Sequence, residues 1–250
     1  MKKKTIILIT AMVLALAIAT GATLAYLTSI ASKVTNSFVS GGFGVVSLRE
    51  VSDDGDKDIA WFSGNKTTNN INSYSIVPGV DIEKDPQVKF VFDDDSVVTG
   101  AYVFVKITYD TSDSNNGWTY VPGTNGLKAK LTAKIDGVAN ALSVTMGDNW
   151  KVVGAGTKNG TIVLTYCTSQ GSIVSMNKTT NPLADGLSIF KTLEGSDKTI
   201  DVSGALTEAD LDVFETKKAN YNLSFSAYAI QTDGFSGNSA VADAWAKVNN

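Results

Sequence analysis

Apolar and polar residues alternate with a period of two along most of this chain. The cleanest case is "LKAKLTAKI", where Leu127, Ala129, Leu131, Ala133 and Ile135 share one face and Lys128, Lys130, Thr132 and Lys134 the other. Successive side chains of a strand point to opposite sides, so this is the signature of a half-buried strand. "AYVFVKITYD" (Ala101 to Asp110), "TIVLTY" (Thr161 to Tyr166) and "YNLSFSAYAIQ" (Tyr221 to Gln231) repeat the pattern. The first is apolar on both faces through Phe104, which predicts a central strand.

Asn, Asp and Gly cluster between these runs, in "SDDGDKD", "SGNKTTNN", "DTSDSNNG", "VPGTNG" and "GAGTKNG". Strands separated by such turn formers predict an antiparallel sandwich or jelly roll. "VPG" at Val77 to Gly79 predicts a tight turn with Pro second and Gly supplying positive φ. Two helices are expected: "LTEADLDVFETKK", with Thr207 as cap and acids in its first turn, and "SAVADAWAKV" near the C-terminus. No internal repeat or Pro-rich linker divides the chain, so a single β domain is expected.

The first 25 residues break the alternation. "MKKK" precedes an uncharged stretch from Thr5 to Ala25, with a strongly apolar part at Ile6 to Ala19. A basic start, an apolar core and small residues after it read as a secretory signal, cut after Ala22 or Ala25. A cut at the second site places Thr23 and Ala25 before the scissile bond and Tyr26 after it. Thr5 to Leu27 is also long enough to cross a bilayer uncleaved. In both cases the rest of the chain is expected outside the cell, with the signal segment as its membrane tie.

Beyond the cut the residues stay patterned. Tyr26, Ile30, Val34 and Phe38 share one face with Thr28, Ser32 and Asn36, as in a strand, while Leu27, Ile30, Ala31 and Val34 also follow helical spacing. An apolar strand at a new N-terminus can add to an open sheet edge of another subunit, or form the first strand of its own domain.

Charge and candidate chemistry narrow the function classes. Loss of Lys2, Lys3 and Lys4 with the signal leaves 18 basic and 25 acidic residues, a formal charge of −7. The basic residues are scattered, so nucleic acid is not an expected partner. The sequence has no histidine, which removes the imidazole-based triads and the H-E-x-x-H zinc sites. Cys167 has no second cysteine in the chain to pair with, and it follows an apolar run, so a buried small hydrophobe is expected. "DDGDKD" at Asp53 to Asp58 starts like a calcium loop. The motif would need Gly where Ile59 stands and Glu where Asn65 stands, so a solvated turn is expected. "DDD" at Asp93 to Asp95 reads as a hairpin turn. Asn65, Asn159, Asn177 and Asn222 begin N-x-S/T sequons. No catalytic, cofactor-binding or metal-ligating residue is assigned, and no cofactor is expected.

Several stretches, in order, resemble the TasA/camelysin family of secreted bacterial proteins: "ATGATLAYLT", "NSFVSGGFGVVSL", "VPGVDIEKDPQVKF", "AYVFVKI", and "YAIQTDGF" followed by "AW". The chain departs from the family where "DDDSVVTG" replaces an Asn-x-Gly turn. The resemblance implies a jelly-roll-like antiparallel β-sandwich over residues 41–250, preceded by a donor segment at 26–40. It implies polymerisation into extracellular biofilm-matrix or surface fibres, with Tyr26, Thr28, Ile30, Val34 and Phe38 entering the sheet of the next subunit. The implied partners are further copies of the chain, a SipW-type signal peptidase and an accessory or anchoring protein. Rival expectations are a camelysin-like surface metallo-endopeptidase and a monomeric cell-surface binding module.

Overall fold

The computed structural model describes residues 28–31, 43–51, 76–94, 96, 98–111, 116–153, 160–191, 199–210 and 221–248. The signal segment, the Asp53 to Asp58 run and the sequons at Asn65 and Asn159 lie outside the described residues.

Alternation becomes antiparallel sheet. The first sheet contains β1 (Thr28–Ala31), β5 (Ala101–Tyr109), β9 (Trp150–Val152), β10 (Thr161–Tyr166) and β13 (Leu223–Gln231), in the order β1-β13-β5-β10-β9. The second contains β2 (Gly44–Val51), β4 (Asp85–Phe92) and β11 (Leu187–Ser188), in the order β11-β4-β2. The third contains β3 (Ile82–Glu83), β6 (Gly117–Val121), β7 (Lys130–Ile135), β8 (Val138–Thr145) and β12 (Thr199–Val202), in the order β3-β12-β8-β7-β6. The described fold is all-β, with one helix of length, α1 (Ala240–Val248), near the C-terminus. No helix among the described residues is long and apolar enough to cross a membrane.

One large core joins the three sheets. Val103, Val105 and Ile107 of β5, Ile162 and Leu164 of β10, and Ala227 and Ala229 of β13 meet Val88 and Phe90 of β4. Leu131, Ala133 and Ile135 of β7 and Leu142 and Val144 of β8 extend the same cluster into the third sheet. Phe90 packs edge-on to Phe92 at 4.8 Å and tilted against Phe43 at 5.6 Å, the offset geometries that aromatic quadrupoles favour.

The other face of the first sheet is also covered. Phe104, Val163 and Ile230 form a second cluster with Ala244, Trp245 and Val248 of α1, and Tyr102, Tyr228 and Phe235 pack at its margin. Double coverage explains why β5 is apolar at consecutive positions and sits in the middle of its sheet. Tyr228 and Phe235 thus contribute to packing.

Local chemistry sets several boundaries. The β7–β8 hairpin turns on Asp136-Gly137, both at positive φ (47° and 86°), the pairing that a two-residue turn of matching twist demands. At Val77 to Val80 the Val80 amide donates to the Val77 carbonyl at 3.1 Å with Gly79 at φ 73°, which is the tight turn expected from "VPG". Thr207 starts a helical turn as expected. Its amide and hydroxyl donate to Asp210 Oδ2 at 2.6 and 2.7 Å, and the same contacts hold the Asp210 carboxyl below its ordinary value. The remainder of that expected helix, after residue 210, lies outside the described residues.

Two local expectations differ from the structure. Leu127 and Lys128 belong to a turn rather than to β7, because the Leu127 amide closes onto the Thr124 carbonyl at 2.9 Å and Lys128 has φ 54°. Strands β4 and β5, on either side of Asp93 to Asp95, do not form the expected hairpin. Strand β4 pairs with β2 and β11, whereas β5 pairs with β10 and β13. The chain changes sheets there.

Candidate assembly edge

Strand β13 is paired along its whole length with β5, from Leu223↔Tyr109 to Gln231↔Ala101. This fixes one side of its backbone and turns the other outward as the sheet margin. A margin carries main-chain donors and acceptors that bind any strand of suitable register. Here four residues of β1 take that place, in the register Thr28↔Ile230, Ser29↔Ala229, Ile30↔Tyr228 and Ala31↔Ala227. Strand β1 also packs beside β2 of the second sheet, so it sits where the two sheets meet.

The register follows from the two faces of β13. Ala227 and Ala229 lie in the large core, while Tyr228 and Ile230 belong to the cluster under α1. In this register Ser29 and Ala31 pair with Ala229 and Ala227, and Thr28 and Ile30 with Ile230 and Tyr228. A slip of one residue would exchange the two faces. For Thr28–Ala31 the strand alternative applies rather than the helical one.

Of the proposed donor residues, Thr28 and Ile30 therefore lie in β1. Tyr26, Val34 and Phe38 lie outside the described residues, as do Thr23 and Ala25 at the expected cleavage site. Nothing in the sequence marks the strand that pairs with Thr28–Ala31. In the structure it is β13, backed by α1, where Trp245 lies 5.6 Å from the ring of Tyr228 and 5.4 Å from that of Phe104. The only trace of this in the sequence is the recurrence of aromatic residues in "YAIQTDGF" and "AW".

One polar network joins the strands of the second sheet. Arg49 Nε donates to Gln87 Oε1 at 2.8 Å, Gln87 Nε2 donates to Asp85 Oδ2 at 2.6 Å, and Ser188 Oγ donates to Asp85 Oδ1. This chain of bonds runs across β2, β4 and β11 and satisfies a buried carboxylate, as burial requires. Cys167 is fully buried, and burial pushes its thiol up, with Lys151 opposing more weakly. A protonated, inaccessible thiol is inert. Among the described residues no three Asp, Glu or Cys side chains gather as a metal site would require.

Four tyrosines have a shared electrostatic consequence. Burial raises Tyr109, Tyr120, Tyr166 and Tyr228 above their ordinary value of 10.0, with a hydrogen bond from Ser226 partly opposing the shift at Tyr228. A raised acid favours folding while it is protonated in both states, and that contribution fades as pH rises above the unfolded value. Thermal midpoints are therefore expected to be insensitive to these groups up to about pH 9, then to fall beyond about pH 10 as the unfolded phenols ionise first. A midpoint that held level to pH 11 would contradict the burial of these rings.

The class defined by these features is an all-β antiparallel sandwich with an N-terminal strand at a sheet margin. Comparison of the chain with protein-family models, curated proteins and solved structures gives no match.

Proposed function

We propose that this chain is a secreted structural subunit, jelly-roll-like in its connectivity, which polymerises by placing its N-terminal strand on the β13 margin of the next copy. The observation that carries this reading is the pairing of Thr28–Ala31 with Ala227–Ile230 at the end of a sheet. A terminal strand held at a margin can leave its own subunit and form the same ladder on another, which is a low-cost route to assembly. The resemblance to the TasA/camelysin family supports the same reading and extends it to biofilm-matrix or surface fibres. A SipW-type signal peptidase would release the strand, and an accessory protein would anchor or start the fibre.

The closed subunit competes with exchange. Its own β1 is tethered to β2 by the short stretch between Ala31 and Gly44, and a short tether gives an effective concentration on the order of millimolar. Ladder energy is common to both arrangements, so assembly needs concentrated subunits, a seed, or contacts beyond β1. The same pairing also favours one second reading: a monomeric surface module in which β1 stays at home.

Filament imaging separates the two. Protein starting at Tyr26 is expected to form filaments on concentration, and protein starting at Gly41 is expected to remain dispersed. Filaments from both forms, or from neither even with seeds, would overturn strand donation.

A further inference from the structure

The residues of β13 that stand opposite Thr28 and Ile30 do not hold their positions alone. Ile230 and Tyr228 are joined to Ala244, Trp245 and Val248 of α1 in one cluster. Trp245 meets Tyr228 nearly edge-on, at 83° and 5.6 Å, and meets the fully buried Phe104 of the neighbouring strand at 5.4 Å. Trp245 is itself 3% exposed. One indole therefore ties the margin strand β13 to the central strand β5, on the face of the sheet that Tyr228 and Ile230 occupy.

We infer that α1 is the device that grades how firmly the margin holds a donated strand, with Trp245 as the positioning residue acting through Tyr228. This rests on the strand-donation reading for its biological consequence. Main-chain bonding supplies the grip on β1, and that grip depends on β13 keeping its backbone in place, to which the packing of Tyr228 and Ile230 under α1 contributes. The opposite face offers only the small side chains of Ala227 and Ala229 at the neighbouring positions. The helix docks on one side of the sheet through Ala240, Ala244, Trp245 and Val248 and is packed less extensively than the core strands, and such units open first. Loosening α1 therefore releases β1 from its own subunit before the sandwich unfolds, and the partner for the freed margin is the N-terminal strand of a second copy.

Hydrogen exchange on the dilute, full mature chain tests this without assembly. Trp245→Ala is expected to speed exchange of the Thr28–Ala31 amides by about tenfold, the scale set by losing a buried aromatic pair, while Val88 to Phe90 in the second sheet keep their rates. Trp245→Phe is expected to restore most of the protection. Should Trp245→Ala unfold the whole chain, Val248→Ala, at the helix end of the same cluster, is expected to show the same local effect at about threefold. Equal exchange of β1 in parent and variant, or equal acceleration in both sheets for Val248→Ala, would overturn the inference.

Assembly then gives an independent readout. Trp245→Ala is expected to shorten the lag before filaments appear and to yield filaments that dissolve on milder dilution. If the parent forms no filaments, strand donation fails and the exchange result still decides the role of α1. If the parent assembles and Trp245→Ala changes neither lag nor dissolution, the inference fails while strand donation stands.

Discussion

Replacing Phe104 with alanine is expected to cost about 3–5 kcal/mol of stability, the range for deleting a large buried aromatic. Phe104 is fully buried and sits in the middle of β5, between β13 and β10. It is the residue of the helix-side cluster furthest from any margin, so its removal leaves a cavity walled by strand backbone that cannot collapse. It also removes the ring against which Trp245 packs, so α1 should loosen along with the sheet. Denaturant unfolding followed by tryptophan fluorescence measures both effects. A loss below about 1 kcal/mol would mean that the two faces of the first sheet are not both core.

The second large effect concerns assembly rather than stability. Neighbouring residues of a strand point their amides to opposite sides, so changing both Ser29 and Ile30 to proline removes a ladder donor from β1 whichever of the two faces β13. Proline has no amide hydrogen and is confined to strand margins and ends. The double variant is expected to raise the concentration needed for filaments by at least about tenfold, equivalent to one lost hydrogen-bonded step. Its thermal midpoint should move far less than that of Phe104→Ala, because the principal core lies in β4, β5, β7, β8 and β10. The matched control, Ser29→Ala with Ile30→Val, keeps both amides and should assemble. Filaments at the parent's concentration from the proline variant would exclude β1 as the polymerising strand.

Much of the fold is legible in the chain because alternation reports burial directly. "TIVLTY" corresponds to β10 from its first residue to its last, and the doubly apolar run at Ala101 to Tyr109 is the central strand. Cys167 is buried, as its place after an apolar run suggested. What alternation cannot report is the partner of each strand. The chain passes from β4 to β5 through a polar segment that looks like any hairpin turn, yet the two strands lie in different sheets. Strand pairing is decided by contacts between residues far apart in sequence, such as Ala101↔Gln231. The ends of β7 were obscured for a local reason, since Leu127 fits the alternating pattern but its amide is taken by the turn at Thr124.

The candidate site was legible on one side only. An apolar, patterned segment after a stretch that reads as a secretory signal suggests a strand in need of a sheet, and Thr28 and Ile30 do lie in β1. The surface that pairs with β1 could not be read in the same way. It depends on β13 being last in its sheet before β1 and on α1 folding over Tyr228 and Ile230, neither of which leaves a periodic mark in the sequence.

The account turns on whether β1 crosses between subunits, and a mixed-chain crosslink measures this directly. Ser29 and Ala229 stand opposite each other in the β1–β13 register. Chains carrying only Ser29→Cys are mixed with chains carrying only Ala229→Cys, assembled by concentration, and oxidised or bridged with a short thiol crosslinker; Cys167, fully buried, is left in place. Strand donation predicts a covalent dimer that forms in the mixture after assembly and is absent from either population alone. If no dimer forms in the filaments, while a single chain carrying both cysteines closes on itself, β1 stays within its own subunit and the central claim is wrong.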